Sequence, residues 1–152
     1  MKEAFSKVVN IKKSPEEVID ILKNPENLGE FIKNKVPEEY FPAEMKERLS
    51  YGKGGITLDI PVVKCELNLE EVTPKFVKYG VKLSGLNEGV LFLQVLPTES
   101  GSKMRIAIGY SFSYGPVGLL LRSNLDEKKI EETLNDVVEA LEESFNSEKK
   151  EG

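Results

Sequence analysis

The chain has no histidine, one cysteine and one glutamine. Each absence closes a class of function. Without His there is no Ser–His or Cys–His pair, no imidazole proton shuttle and no His metal ligand. The lone thiol, Cys65, forms neither an intrachain disulfide nor a multi-cysteine zinc site. Long apolar runs are missing too. The stretch around Leu119–Leu121 falls far short of the ~20 residues a membrane-spanning helix needs. The opening Met-Lys-Glu-Ala-Phe-Ser-Lys lacks the apolar core of roughly 7–15 residues found in a secretory signal. With a free thiol, these features predict a soluble, cytoplasmic protein. Basic residues number 21 against 26 acidic, a net charge of −5. Nucleic acid is therefore not an expected partner, because phosphate contacts need clustered Lys and Arg.

What is present is enough for one core. The 152 residues are 39% hydrophobic and 31% charged. This predicts a single domain over 1–146 with a frayed polar tail over 147–152. There are 18 Lys and 22 Glu beside the single Gln94, the composition of heat-adapted proteins, although an ordinary Glu/Lys-rich surface would read the same.

The order of periodicities gives the architecture. Phe5, Lys7, Val9 and Ile11 alternate with Val8 on the other face, which predicts a strand over Glu3–Ile11. Ser14-Pro15-Glu16-Glu17 is a capping box with Pro at the first helical position. Asn24-Pro25-Glu26 repeats the start signal for a second short helix with Leu28, Phe31 and Ile32 on one side. Between Asn34 and Ser50 the pattern weakens, with a short helix predicted over Glu44–Leu49. So long a connection is a candidate lid.

Period-two segments follow. Gly55–Ile60 is a short strand. Val63, Cys65, Leu67 and Leu69 share one face, then Val77, Tyr79, Val81 and Leu83, then Met104, Ile106, Ile108, Tyr110, Phe112 and Tyr114. Val90–Leu96 is apolar at nearly every position, and the reading adopted turns Val90, Phe92, Gln94 and Leu96 inward and Leu91, Leu93 and Val95 outward. Short turns between strands imply an antiparallel meander. From Gly115-Pro116 a long amphipathic helix carries Leu119, Leu120, Ile130, Leu134, Val137, Val138, Leu141 and Phe145, with a kink at Ser123-Asn124. The expectation is an α+β fold: a curved antiparallel sheet of about six strands wrapped around a long C-terminal helix, with two short helices after the first strand.

Other constellations are weaker. Tyr51-Gly52-Lys53-Gly54-Gly55 lacks the spacing of a phosphate loop and reads as a turn. No His activates Cys65, so it reads as a small buried residue. Glu70-Glu71 and Glu142-Glu143 are adjacent pairs whose members point apart.

The chain resembles the helix-grip superfamily, which includes START-related lipid-transfer domains, plant pathogenesis-related allergens and polyketide cyclase-like proteins. Three places carry the resemblance: Ser14–Val18 followed by Asn24–Leu28, the run of similar strands, and Tyr114-Gly115-Pro116-Val117-Gly118-Leu119-Leu120 at the entry to the last helix. It covers about Glu3 to Phe145. It implies an apolar cavity between sheet and helix. The expected lining is Leu67, Leu69, Tyr79, Val81, Phe92, Gln94, Ile106, Ile108, Tyr110 and Phe112 from the sheet, with Leu134, Val138 and Leu141 from the helix. The alternative is that these side chains are plain core. The implied function is non-catalytic binding or transport of a hydrophobic small molecule, a lipid or polycyclic compound, with no cofactor, metal or catalytic set. A cyclase or dehydratase using Tyr79, Tyr110 and Asp59 is a second reading, and a protein-interaction module such as a co-chaperone or membrane-recruitment factor is a third. Three apolar residues on the outer sheet face also point to a homodimer.

Overall fold

Both capping signals start helices in the computed structural model, which describes residues 2–59, 64–83, 87–112 and 127–146. The Ser14 hydroxyl accepts from the Glu17 N–H while the Glu17 carboxylate accepts from the Ser14 N–H, and helix α1 runs Pro15–Leu22. The Asn24 side chain accepts from the Glu26 and Asn27 N–H groups and opens α2, Pro25–Lys35. A single turn, α3, covers Ala43–Lys46, and α4 covers Glu127–Asn146. The expected helix entry at Gly115-Pro116 and the Ser123-Asn124 kink lie outside the described residues.

The strands are β1 Lys2–Ile11, β2 Leu49–Tyr51, β3 Gly55–Asp59, β4 Lys64–Val72, β5 Phe76–Leu83, β6 Asn87–Thr98 and β7 Gly101–Phe112. They form one antiparallel sheet in the order β1-β7-β6-β5-β4-β3-β2. The strand beyond the six expected is β2, which pairs with β3 through Leu49–Leu58 and Tyr51–Ile56. The helix predicted over Glu44–Leu49 ends at Lys46 instead. A strand of three residues is too short to display its period in sequence. The Asn34–Ser50 segment is therefore folded. Lys46 Nζ donates to the Val36 carbonyl at 2.5 Å and the Tyr40 hydroxyl to Glu143 at 3.3 Å.

Residues directly opposite in an antiparallel ladder share a face. The inner face carries successive rows: Val9, Met104 and Val95; then Ile106, Leu93 and Val77; then Ile108, Leu91, Tyr79 and Leu69; then Val81, Leu67, Ile56 and Tyr51. Helix α1 lies on β5, β6 and β7, burying Val18, Ile19 and Leu22. Helix α2 lies on β2 and β3. There Gly29 faces the Tyr51 ring so closely that any Cβ would strike it.

Helix α4 follows the sheet edge. Lys7 Nζ donates to Asn135 Oδ1 at 3.4 Å, the Asn10 N–H to Glu142 at 3.3 Å and the Lys12 N–H to Asn146 Oδ1 at 2.7 Å. From Asn135 to Asn146 the helix rises about 16 Å, and from Lys7 to Lys12 the strand rises about 16 Å. The two elements therefore run side by side in the same direction. At the C-terminal end of α4, the Phe145 ring meets Phe31 of α2, centroids 4.5 Å apart.

Candidate apolar site on the inner sheet face

One end of the inner face is filled. Val77, Tyr79, Leu93, Val95, Met104 and Ile106 are 0–3% exposed beneath α1. Toward the other end, Cys65, Leu67, Leu69, Val81, Leu91 and Ile108 point to the same face but remain half-buried. These six belong to the adjacent strands β4, β5, β6 and β7, so they form one continuous apolar surface. Burial holds the Cys65 thiol above its ordinary pKa, with a smaller contribution from the Glu66 carboxylate.

The structure divides the expected lining. Leu67, Leu69, Val81 and Ile108 come together on the half-buried surface. Ile106 and Tyr79 lie at the filled end. The Tyr79 hydroxyl donates to the Leu22 carbonyl at the end of α1, at 2.7 Å, in a buried bond. It therefore serves to fix the end of α1. Val138 is buried and Leu141 half-buried on α4. The side chains of Tyr110, Phe112 and Leu134 lie outside the described ones.

Phe92 and Gln94 are corrections. The register sets Phe92 against Ala107 and Lys78, and Gln94 against Arg105 and Phe76, all on the outer face. The inward residues of β6 are Leu91, Leu93 and Val95. The physical reason is that β6 is apolar on both faces, so its own alternation does not choose a side. The choice belongs to its neighbours, whose Ile106 and Val77 flank Leu93. Leu91 thus joins the half-buried inner face, where the sequence reading places Phe92. The available signal was the unambiguous alternation of β5 and β7 on either side.

Asp59 is exposed at the end of β3 and Tyr79 is sealed beneath α1, so these two catalytic candidates are not brought together. Among the described residues, no group of three His, Cys, Asp or Glu is placed to hold a metal ion. No helix among the described residues is long and apolar enough to cross a membrane. An open groove of about 520 Å³ lies beside α4, lined by Tyr40, Glu139, Glu142, Glu143 and Asn146. Its three carboxylates suit water far better than an apolar guest.

No protein-family model matches the chain, and no curated protein does. Solved structures do. A protein from Rhizobium leguminosarum is 13% identical with a TM-score of 0.61, covering 93% of this chain and 92% of its own. A START superfamily protein from Mycobacterium smegmatis is 12% identical with a TM-score of 0.56, covering 91% and 93%. The chain has a helix-grip, START-like fold. The Aha1 dimer from Colwellia psychrerythraea is a further neighbour, 17% identical with a TM-score of 0.50, covering 93% and 97%. At these identities the likeness concerns the fold alone, and a START-like fold hosts many activities.

Proposed function

We propose that the protein binds a hydrophobic small molecule, a lipid or polycyclic compound, against the half-buried end of the inner face, between the sheet and α4. One observation carries this reading: Leu67, Leu69, Val81, Leu91 and Ile108 stay partly uncovered on the same face whose other end is closed to 0–3% exposure. Apolar surface left in contact with water is a standing driving force for a guest, and pockets for such guests are mostly apolar. In this reading Cys65 lies at the margin of the site, and the protein is a carrier with no catalytic step.

Native mass spectrometry of freshly purified protein and displacement of the fluorescent fatty acid cis-parinaric acid test the reading. The expected result is a retained adduct or saturable fluorescence. Leu67→Trp and Ile108→Trp should fill the space and abolish binding, while Leu96→Ser on the outer face leaves it intact. An absence of adduct, with no saturable uptake and no thermal stabilisation by a panel of fatty acids and polycyclic compounds, would overturn the reading. Equal loss of binding in Leu96→Ser would overturn it as well. A second reading, a protein-interaction module, is favoured by the exposed apolar residues on the outer sheet face. It predicts that outer-face variants alter association while Leu67→Trp does not.

A further inference from the structure

A lysine stands on the apolar inner face. Lys7 of β1 lies opposite Ile106 of β7, in the row that continues through Leu93 and Val77. Val9, two residues on and 1% exposed opposite Met104, shares its side of the strand. Among the described side chains of the strands, Lys7 is the one charged group that the ladders turn inward. It is half-buried, and its ammonium donates to Asn135 Oδ1 of α4 at 3.4 Å, longer than an ordinary N–H···O bond. That acceptor is neutral. Among the described residues the ion pairs are Lys23–Asp20 and Lys78–Glu70, so no carboxylate is paired with Lys7. A half-buried cation whose partner is an amide keeps a strong demand for an anion.

Asn135 adds to the same point. Its amide carries two N–H donors beside the oxygen that Lys7 uses. An ammonium and an amide side by side match the two oxygens of one carboxylate, and one positive charge balances one negative charge. A phosphate monoester, at about −1.5 to −2, would be only partly balanced.

The position of Lys7 relative to the half-buried surface sets the shape of the guest. Ile108 lies opposite Phe5, so it is a diagonal neighbour of Lys7, within reach of a long side chain. From Ile108 the apolar surface runs through Leu91 on β6 and Val81 on β5 to Leu67 on β4. Four strand spacings separate β1 from β4, about 19 Å at ~4.8 Å each. The cation is at one end of this path. A linear chain with a terminal anion uses both the path and the cation, whereas an uncharged polycycle leaves Lys7 unused.

We infer that the guest is a single-chain amphiphile with a terminal carboxylate, which Lys7 and Asn135 hold while the chain lies from Ile108 towards Leu67. The inference rests on the ligand-binding reading above and narrows its class of guest. Fluorescence titration with cis-parinaric acid and with its uncharged methyl ester tests it, because the two probes differ only at the head. The parent protein should bind the acid at least tenfold more tightly. Lys7→Met keeps the apolar stem and should weaken the acid about tenfold while leaving the ester unchanged. Lys7→Arg should retain the preference. Asn135→Asp gives the ammonium a carboxylate from the chain itself and should also remove the preference. Equal affinities for acid and ester in the parent overturn the inference and leave the ligand-binding reading standing. So does a loss of acid and ester alike in Lys7→Met, which makes Lys7 a support for α4, and so does an intact preference in Asn135→Asp. Tighter binding of hexadecyl phosphate than of palmitate overturns the carboxylate head. Uptake of neither probe by the parent overturns the ligand-binding reading itself, and the inference with it.

Discussion

At one end of the inner sheet face, Val77, Leu93, Val95, Met104 and Ile106 are closed from water by the Val18, Ile19 and Leu22 side chains of α1. At the other end, Leu67, Leu69, Val81, Leu91 and Ile108 are equally apolar side chains, on β5, β6 and β7 and on the adjacent β4, yet remain half-buried. Hydrophobicity does not distinguish the two ends. What distinguishes them is which element crosses the strands. α1 is eight residues long, about 12 Å, and its last carbonyl is fixed by the Tyr79 hydroxyl. The helix therefore ends where the Tyr79 row begins, and the rows beyond it have no share of α1. A short helix pinned by one hydrogen bond therefore covers only one end of a strong apolar surface.

The largest expected contrast is between matched truncations at the two ends. Leu93→Ala removes a fully buried side chain among rigid neighbours and should cost about 2–5 kcal/mol in urea denaturation. Leu67→Ala removes a half-buried one and should cost about 1 kcal/mol, because less surface returns to water. Ligand binding should respond in the opposite order, with Leu67→Ala losing affinity and Leu93→Ala keeping it while folded. Equal stability costs, or equal effects on binding, would erase the distinction between the ends.

Next in size is Tyr79→Phe, which leaves the Leu22 carbonyl buried and unpaired and should cost about 1–3 kcal/mol. The same residue gives the stability a pH dependence. Burial raises the phenol pKa above its ordinary 10.0, so the folded state holds a proton that the unfolded chain releases. The stabilising contribution is complete below pH 10 and is lost as the pH rises beyond it. Denaturation midpoints should therefore fall above about pH 10 in the parent protein and fall less steeply in Tyr79→Phe. Parallel slopes in the two proteins would place the alkaline transition elsewhere.

Much of this arrangement is legible in the residues themselves. Ser14, Asn24 and their acidic followers announce α1 and α2 through local hydrogen bonds, which need no tertiary information. The alternation of β4, β5 and β7 assigns Leu67, Val81 and Ile108 to one face correctly, because polar residues mark the other. β6 is different: apolar side chains on both faces remove the contrast that alternation relies on, and Phe92 and Leu91 exchange roles. Tyr79 illustrates another limit. Its position on the inner face follows from period two, but its partner is Leu22, 57 residues away, and that contact decides that it supports α1. Degree of coverage is likewise set by where α1 and α4 dock. Docking is a property of the assembled rows, and no single segment encodes it.

Cys65 offers the smallest perturbation and a direct reading of the half-buried end. It pairs with Leu58 and Leu83 across the ladders, one row beyond Leu67, and is itself half-buried. Burial first and Glu66 second hold its thiol in the protonated form beyond its ordinary range, and only the thiolate attacks alkylating agents. At pH 8, iodoacetamide should therefore label it several-fold more slowly than it labels glutathione, and unfolding in urea should remove the difference. If a guest sits against Leu67 and Val81, saturating cis-parinaric acid should slow labelling further, whereas Leu67→Trp should slow it without any added acid. Labelling as fast as that of glutathione would mean that this margin of the sheet is open to solvent. Labelling unaffected by both the fatty acid and Leu67→Trp would separate Cys65 from the apolar surface beside it, leaving the rows from Leu67 to Ile108 as the whole of the candidate site.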